Sequence, residues 1–487
     1  MKNFVKLRNA ASLKEDAVPV IPMKEWRDWI LDACKKHDGR IVSIFGSRRA
    51  DRGVRLFGVI GIDSRGELSL AAADVEGMSY QSLTPELKEA HLFEREIYEN
   101  FGVIPEGHPW LKPVRRAEGY DYYSLEDESV HEVAVGPVHA GVIEPGHFRF
   151  QCRGEKVFNL EIHLGYQHRG VEEMMVLGNP ARRMILAESV AGDSAIAHGM
   201  AYCHVVEGLA NREVTQRARI IRAVALELER VANHVGDLGA IANDVGFLPA
   251  ASSLGGLRAQ FLNMLMTISG NRFGRSLLKP GGVAFDITSA MADELKSWLD
   301  RGIKEVNDAL DVMFSMPSVV SRLENTGVVT NGEAREIGMV GVAARACNLQ
   351  RDVRCDYPAG MYRFSKILIA KAGSGDVFAR ARVRALEIKR SAEFIQELLA
   401  MIPMEKICLQ CDAQNASSIA VSMVEGWRGE VVHIARTDER GDVCQYKIVD
   451  PSFHNWTGLE LALKNGQISD FPLCNKSFNL SYAGYDL

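Results

Sequence analysis

The chain has 487 residues, of which 47% are hydrophobic and 25% charged, a composition typical of a soluble globular protein with two or three domains. The formal net charge of -6 provides no basic surface for a phosphate backbone, so nucleic acid is not an expected partner. Nine cysteines without framework spacing favour reduced thiols in the cytoplasm. Neither a signal peptide nor an apolar stretch of the roughly 18–20 residues that span a bilayer is present, so we expect membrane association only through partner subunits.

Residues 1–113 predict a small α/β-sandwich domain. An amphipathic pattern predicts a helix over 26–37, and Thr84 with Pro85 predicts the start of a second helix that ends at 101–102. Between the two helices, turn residues separate three apolar runs, which predict a meander of strands at 40–48, 54–63 and 68–75. The polar segment 114–130 predicts a linker or wrapping arm.

Residues 131–487 predict a mainly helical domain with peripheral β-hairpins, so the fold class of the whole chain is α+β. Two long apolar runs, 133–152 and 156–163, predict the first hairpin. Helical periodicity then dominates from 171 to about 402, with a core of four or more long helices. A second hairpin is predicted at 429–436 and 445–449.

The predicted helix at 220–245 has an ionisable row beside its apolar face. The row consists of Glu227, Arg230, His234 and Asp237, which share one arc of the helix at 100° per residue. Small residues cover the third face of the helix. A row between two packed faces favours a buried network, and a surface row of i,i+3 and i,i+4 pairs is the alternative.

Common catalytic motifs are absent from the sequence, including the Walker loop, G-x-S-x-G and H-E-x-x-H. One C-x-x-C pair occurs at Cys408 and Cys411, but a zinc or cluster site normally needs four ligands. We therefore interpret these cysteines as two structural thiols and predict no metal site, with a zinc protein as a remote alternative.

Histidines cluster around the first hairpin. His139 and His147 lie in its loop, and His168 follows its last strand together with Arg169. Because imidazole titrates near neutral pH, these side chains are candidates for a proton-handling cleft. Loop histidines bonded to backbone carbonyls are the simpler alternative that the residues alone favour.

Several motifs follow one another from residue 133 to the C-terminus: GPVH at 136–139, EPGHFR at 144–149, HRGVE at 168–172, ERVANH at 229–234, GNRF at 270–273, 338–345, DVR at 352–354 and GDVF at 375–378. In identity and order they resemble the large subunit of group 4, energy-converting [NiFe] hydrogenases and its relative, the quinone-site subunit of complex I. Upstream, FEREIY at 93–98 resembles the small complex I subunit that partners it. The chain thus looks like a fusion of the formate hydrogenlyase type, comparable to the C/D fusions of NADH-quinone oxidoreductase.

The chain departs from this resemblance at the metal centre. Nickel and iron are held there by four cysteine thiolates, because soft sulfur ligands suit them. The matching positions, called here the former ligand centre, are Ala191, Ser194, Ser452 and Asn455, with His198 four residues after the first pair. We therefore predict no [NiFe] cluster, no H2 chemistry and no cofactor bound by this chain.

The resemblance also implies a quinone site that is incomplete. His147, or alternatively His139, matches the histidine that holds the quinone headgroup, whereas the tyrosine position falls near Gly192. Loss of the thiolates predicts a polar cavity at the former ligand centre, either binding a small acceptor or filled by internal hydrogen bonds. Its predicted lining is Asp193, Ser194, His198, Ser452, His454 and Asn455.

The resemblance implies an oxidoreductase subunit that passes electrons from an iron-sulfur partner to a quinone-like acceptor. The candidate acceptor site comprises His139, His147, His168, Arg169, Asp193 and His198, and the candidate proton relay comprises Glu227, Arg230, His234 and Asp237. The expected partners are a small iron-sulfur subunit and antiporter-like membrane subunits, and the chain would lie on the cytoplasmic face of the membrane. The whole complex would bind quinone and NAD, transport electrons and translocate ions. The alternative is a redox-inactive scaffold that holds these subunits together.

Overall fold

The N-terminal part is built on a four-stranded antiparallel sheet with the strand order β1-β5-β4-β3. The computed structural model describes residues 4–116, 120–139, 143–411 and 413–487. Helix α1 packs on β3, β4 and β5, and α2 packs on β3. The elements are β1 (Val5–Leu7), β2 (Ala11–Lys14), α1 (Met23–Lys36), β3 (Gly39–Arg48), β4 (Val54–Ile62), β5 (Glu67–Asp74), β6 (Ser79–Gln81), α2 (His91–Phe101) and β7 (Ile104–Glu106).

The predicted strand meander and first helix are confirmed, but the start of the second helix was predicted too early. Thr84 does not cap a helix, because its hydroxyl donates to Oε2 of Glu94 at 2.6 Å and its backbone N–H donates to the same oxygen at 3.1 Å. Helix α2 therefore begins at His91. Its end is as predicted, with Gly102 in the left-handed conformation at φ +71°.

A three-stranded antiparallel sheet follows, with the order β10-β9-β8. Its strands are β8 (His131–Val135), β9 (His147–Arg153) and β10 (Lys156–His163). The single long strand predicted at 133–152 is thus two strands. Strand β8 stops before Pro137, which has no N–H to offer the ladder.

Helices form the centre of the molecule. The longest, α6, packs against α7 and α13 and is buried along most of its length. Thr215 caps it by accepting the N–H of Ala218. The elements are α3 (Val171–Leu177), α4 (Arg183–Glu188), α5 (Ala195–Leu209), α6 (Gln216–Asp244), α7 (Leu248–Ser269), β11 (Leu278–Lys279), β12 (Gly282–Val283), α8 (Ser289–Ser315), α9 (Pro317–Leu323), α10 (Asn331–Glu336), α11 (Gly341–Ala346), α12 (Val353–Asp356) and α13 (Val377–Ala400).

The C-terminal sheet packs on α5 and includes a strand from the other end of the chain. Its order is β15-β14-β13-β2, so residues 11–14 pair with residues 418–421. The predicted hairpin is confirmed as β14 and β15, whereas the pairing of β13 with β2 was not anticipated. The elements are β13 (Ser418–Glu425), β14 (Glu430–Thr437), β15 (Val443–Val449), α14 (Pro451–Leu463), α15 (Phe471–Phe478) and α16 (Tyr482–Asp486).

Buried ion pairs also join the N-terminal region to this sheet. Arg40 Nη1 donates to Oε1 of Glu430 at 2.8 Å, and Lys447 Nζ donates to Oε2 of Glu96 at 2.7 Å. The small domain is therefore fixed directly beside the elements that carry the candidate site. Within the described residues, no helix has the length and apolar character needed to cross a membrane.

Candidate functional site

The hairpin histidines sit in an aromatic environment. The Nδ1 atom of His147 lies 3.4 Å from the carbonyl of Gly136, while its Nε2 is buried without a hydrogen-bond partner in the described part of the chain. Its ring lies 4.9 Å from that of Tyr122, which comes from the predicted linker. Burial lowers the pKa of His147 below its ordinary value. Because the carbonyl of Gly136 only accepts, Nδ1 of this neutral ring carries the proton, and the buried Nε2 beside the phenol can accept a hydrogen bond from a polar headgroup.

The other two histidines of the predicted cleft bond to backbone carbonyls. His139 Nε2 lies 2.9 Å from the carbonyl of Gly146, and Nδ1 of the exposed His168 lies 2.7 Å from that of Asp486. Arg169 donates to the carbonyls of Ser189 and Val190 at 2.7 and 2.9 Å. His168 and Arg169 therefore hold the C-terminal segment and the approach to the former ligand centre in place.

An arginine that no sequence motif indicated lies at the former ligand centre. Arg428 donates to both carboxylate oxygens of Asp193 at 2.6 and 2.8 Å and to the hydroxyl of Ser194 at 3.2 Å. Its guanidinium also lies 3.9 Å from the ring centroid of Trp427. Burial alone would raise the pKa of Asp193, but Arg428 outweighs it and lowers that pKa.

The remaining positions of this centre are buried and satisfied internally. Ser452 Oγ accepts the N–H of Ser481 at 2.8 Å, and the Asn455 amide exchanges two 3.1 Å hydrogen bonds with the backbone of Val340. Ala191 is fully buried. These residues do not fit a nickel-iron pair, because none offers a thiolate and the Arg428 cation contacts Ser194. Within the described residues, no group of three or more histidine, cysteine or acidic side chains could hold a metal ion.

Beside this centre, four titratable side chains form one buried chain of hydrogen bonds. His198 Nε2 lies 3.0 Å from Oδ2 of Asp450, and its Nδ1 lies 3.0 Å from Nε2 of His433. His433 Nδ1 then lies 2.8 Å from the hydroxyl of Tyr446. Every link has a length suitable for proton transfer, and we call this chain the histidine relay.

The electrostatics fix the direction of the hydrogen bond between His198 and Asp450. Burial opposes ionisation of Asp450, but the hydrogen bond from His198 and the charge of Arg428 hold its pKa below the ordinary value. Because the carboxylate only accepts, His198 donates to it from Nε2. Burial and His198 hold the pKa of His433 well below its ordinary value, so this imidazole is neutral.

The ionisable row of α6 is a buried network, as predicted. Glu227 accepts hydrogen bonds from Tyr362 at 2.7 Å and Ser391 at 2.6 Å and pairs with Arg230 at 3.1 Å. His234 reaches the same network through Glu387, at 2.8 Å. The alternative of a solvated surface row is therefore wrong, because α13 covers the row itself, while the small residues Gly236 and Gly239 admit α7 beside it.

Asp237 belongs to a different cluster from the other three residues of the row. It accepts from Arg384 at 2.7 Å and from the amide of Asn479 at 2.6 Å, and the carbonyl of Asn479 accepts from Arg428. Asp193 and Asp237 both line a cleft of about 750 Å³. The structure thus places Asp237 with the former ligand centre, not with Glu227.

Five residues of the site were not among those that the sequence patterns indicated: Tyr122, Arg428, His433, Tyr446 and Asp450. Asp450 had a local signal, since it directly precedes the Pro451-Ser452 pair. The other four lie in segments without a recognisable motif, so only their neighbours in the fold mark them. The two cysteines of the C-x-x-C pair, Cys408 and Cys411, are half-buried.

Two separate parts of this chain match known protein families. Residues 51–131 match the family described as respiratory-chain NADH dehydrogenase, 30 Kd subunit, and residues 244–418 match the 49 Kd subunit family. The chain therefore carries a 30 kDa-type domain followed by a 49 kDa-type domain of the respiratory-chain NADH dehydrogenase families, which confirms the resemblance seen in its motifs.

Its curated relatives are oxidoreductase subunits of complex I-like and hydrogenase-related membrane complexes. Formate hydrogenlyase subunit 5 of Escherichia coli (strain K12) is 27% identical over 442 residues, which cover 85% of this chain and 78% of the relative. The membrane-bound hydrogenase subunit alpha of Pyrococcus furiosus is 29% identical, covering 72% and 85%. The fused C/D protein of NADH-quinone oxidoreductase from Bdellovibrio bacteriovorus is 24% identical, covering 77% and 71%.

Proposed function

We propose that this chain is the acceptor-site subunit of a membrane-associated oxidoreductase complex. It receives electrons from an iron-sulfur partner subunit and delivers them, together with protons, to a quinone-like acceptor. The observation that carries this proposal is the histidine relay, because a buried run of two imidazoles between a carboxylate and a phenol is costly to maintain in a purely structural protein.

In this proposal the relay supplies the protons that quinone reduction consumes. One proton moves from Tyr446 to His433, a second from His433 to His198, and a third from His198 to Asp450. The protonated Asp450 then serves the acceptor, and Tyr446 recovers its proton from the aqueous side. Tyr446 supports that last step because it lines a surface cleft of about 330 Å³ that also contains Glu172 and Glu173.

His147 is proposed to bind the acceptor headgroup through its unpartnered Nε2, with Tyr122 supplying the aromatic neighbour that is missing near Gly192. The α6 network of Glu227, Arg230 and His234 is proposed to transmit charge toward antiporter-like membrane subunits, which couples the reaction to ion translocation. The chain itself would hold no cofactor and would lie on the cytoplasmic face. Its relatives' names, which include hydrogenases and NADH-quinone oxidoreductases, support this setting.

The test is quinone reduction by membranes that contain the assembled complex, with reduced methyl viologen as electron donor. We expect His147→Ala to reduce the rate by at least about tenfold, because a side chain positioned for proton transfer with the reacting group contributes roughly 10²–10⁴-fold. His131→Ala is the matched control, since His131 is exposed on β8 of the same sheet. Equal rates for His147→Ala and His131→Ala, in complexes that contain the same subunits in the same amounts, would refute the proposal.

A redox-inactive scaffold is the second candidate, and one observation favours it. The Arg428 guanidinium and Asp193 fill part of the former ligand centre with a salt bridge. A scaffold predicts that membranes lacking only this chain lose the iron-sulfur and membrane subunits from the complex. It also predicts that no substitution in the histidine relay or at His147 changes electron transfer once assembly is normal.

A further inference from the structure

A second cleft, of about 370 Å³, lies at the opposite end of α5 from the former ligand centre. It is formed at the C-terminal end of α5 and the N-terminal end of α6, together with residues 8–12 and 359–363. The former ligand centre adjoins the other end of α5, and at 1.5 Å per residue the 15-residue helix separates the two by about 20 Å. The cleft's volume is within the roughly 300–1,000 Å³ typical of small-molecule sites.

The charge of this cleft is strongly positive. Five arginines but only two glutamates line it. The charge of one glutamate is already neutralised, because Glu207 accepts two hydrogen bonds from Arg222, at 2.6 and 3.0 Å. The other, Glu213, lies 3.5 Å from Arg219 and points almost entirely into solvent. The lining arginines are Arg8, Arg212, Arg219, Arg222 and Arg363.

Two of these arginines have no carboxylate partner in the described part of the chain. Arg363 is held in place by the carbonyls of Pro358 and Asn9 at 3.2 and 3.3 Å, which leaves its charge uncompensated. The side chain of the exposed Arg8 makes no hydrogen bond or ion pair with any described residue. Like charges gathered without counter-charge repel one another, so an anion entering the cleft would relieve this repulsion.

A mostly buried imidazole lies in the wall of the cleft. His204 lines the cleft, is only 8% exposed, and has a ring nitrogen, Nδ1, that is buried without a hydrogen-bond partner among the described residues. Burial, together with the nearby charges of Arg222, Arg363 and Arg219, lowers the pKa of His204 to about 4. Because Nδ1 is closed off from the cleft, Nε2 is the ring nitrogen of this neutral imidazole that a ligand in the cleft can reach.

We propose that this cleft binds a phosphate group, with Arg8 and Arg363 contacting the phosphate oxygens and His204 completing the site. Guanidinium groups match phosphate geometry through paired N–H donors, and a neutral imidazole adds a further hydrogen bond. The phosphate belongs either to a soluble metabolite or to a lipid headgroup. The proposal does not depend on electron transfer at the former ligand centre.

The experiment is isothermal titration of inorganic pyrophosphate into the purified full-length chain and into the purified complex at low ionic strength. We expect one site per chain whose affinity falls as salt is added. Arg8→Met should weaken binding by at least about tenfold, as expected for loss of a charged hydrogen bond. Arg65→Met is the control, because Arg65 is exposed and makes no ion pair within the described residues.

Arg363→Met provides a second test, and Arg8→Met carries little folding risk because the Arg8 side chain has no polar contact to lose. Vesicles of phosphatidylglycerol test the lipid source, with vesicles of phosphatidylcholine as the comparison. If the chain is retained on phosphatidylglycerol vesicles only when Arg8 is present, and does not bind pyrophosphate, the ligand is a lipid headgroup. Absence of both kinds of binding overturns the proposal, as does equal binding by the wild-type chain and both variants. Binding to the free chain but not to the complex also overturns it, because another subunit of the complex then covers the cleft.

Discussion

Glu387 on α13 joins His234 of the buried α6 network to two arginines, and its replacement by glutamine should destabilise the protein. Its carboxylate accepts from Arg345 at 2.6 Å, contacts His234 at 2.8 Å and lies 3.5 Å from Arg230. Glutamine keeps the shape but offers one acceptor and one NH2 group. In either orientation of the amide, the NH2 group replaces a carboxylate oxygen and faces either the Arg345 cation or Nε2 of His234.

Breaking a buried ion pair from one side typically costs about 3–5 kcal/mol, because the remaining charge is left uncompensated. At about 2.1 cal/mol/K of unfolding entropy per residue, 1 kcal/mol in a chain of 487 residues corresponds to about 1 °C. We therefore expect Glu387→Gln to lower the midpoint of thermal unfolding by about 3–5 °C in calorimetry. Glu393→Gln, on an exposed turn of the same helix, should change it by less than about 1 °C.

The pH dependence gives a second measurement of the same interaction. Burial alone would raise the pKa of Glu387, but Arg345 and His234 outweigh it and hold that pKa well below the ordinary value of 4.5. A depressed pKa in the folded state stabilises the protein above pH 4.5, and this stabilisation is lost as the pH falls further. The difference between wild type and Glu387→Gln should thus be largest near neutral pH and narrow below about pH 4.5. Identical unfolding midpoints at pH 7 would refute this reasoning.

Three further predictions concern the relay, the backbone and the metal. Tyr446→Phe, which removes only the terminal hydroxyl of the histidine relay, should slow viologen-driven quinone reduction by at least about tenfold while assembly of the complex is unchanged. Gly165→Ala should lower soluble yield and thermal stability, because φ is +103° and the added methyl would overlap the carbonyl oxygen of Arg115. The control is Gly107→Ala, which also has a positive φ but has open space around the added methyl, and which should cost only about 1 kcal/mol of stability. Elemental analysis of the purified chain should find nickel far below one atom per chain, and stoichiometric nickel would contradict the interpretation of Ala191 and Asn455.

Local patterns predicted most of the secondary structure because they depend on neighbouring residues. The strand meander at 40–48, 54–63 and 68–75 follows from alternation and turn residues, and the buried row of α6 follows from helical spacing. The errors arose where a distant partner competed for a local group. Thr84 carries a helix-start signal, yet Glu94 takes both its N–H and its hydroxyl.

The candidate site was anticipated only where residues are close in sequence. His139, His147 and His168 could be grouped because one hairpin carries them. The histidine relay could not, since it joins α5 to two strands and a helix cap that lie more than 230 residues further along the chain. Arg428 was missed for the same reason, because its role depends on Asp193 lying across the fold.

The sequence by itself determined which side chains are available at the former ligand positions. Serine, alanine and asparagine at the former ligand positions exclude thiolate ligation, whatever the fold. Only the tertiary structure decided how the available groups are paired. Pairing depends on distances between side chains from remote segments, and a buried imidazole or carboxylate acquires its protonation state from those neighbours and from the exclusion of water.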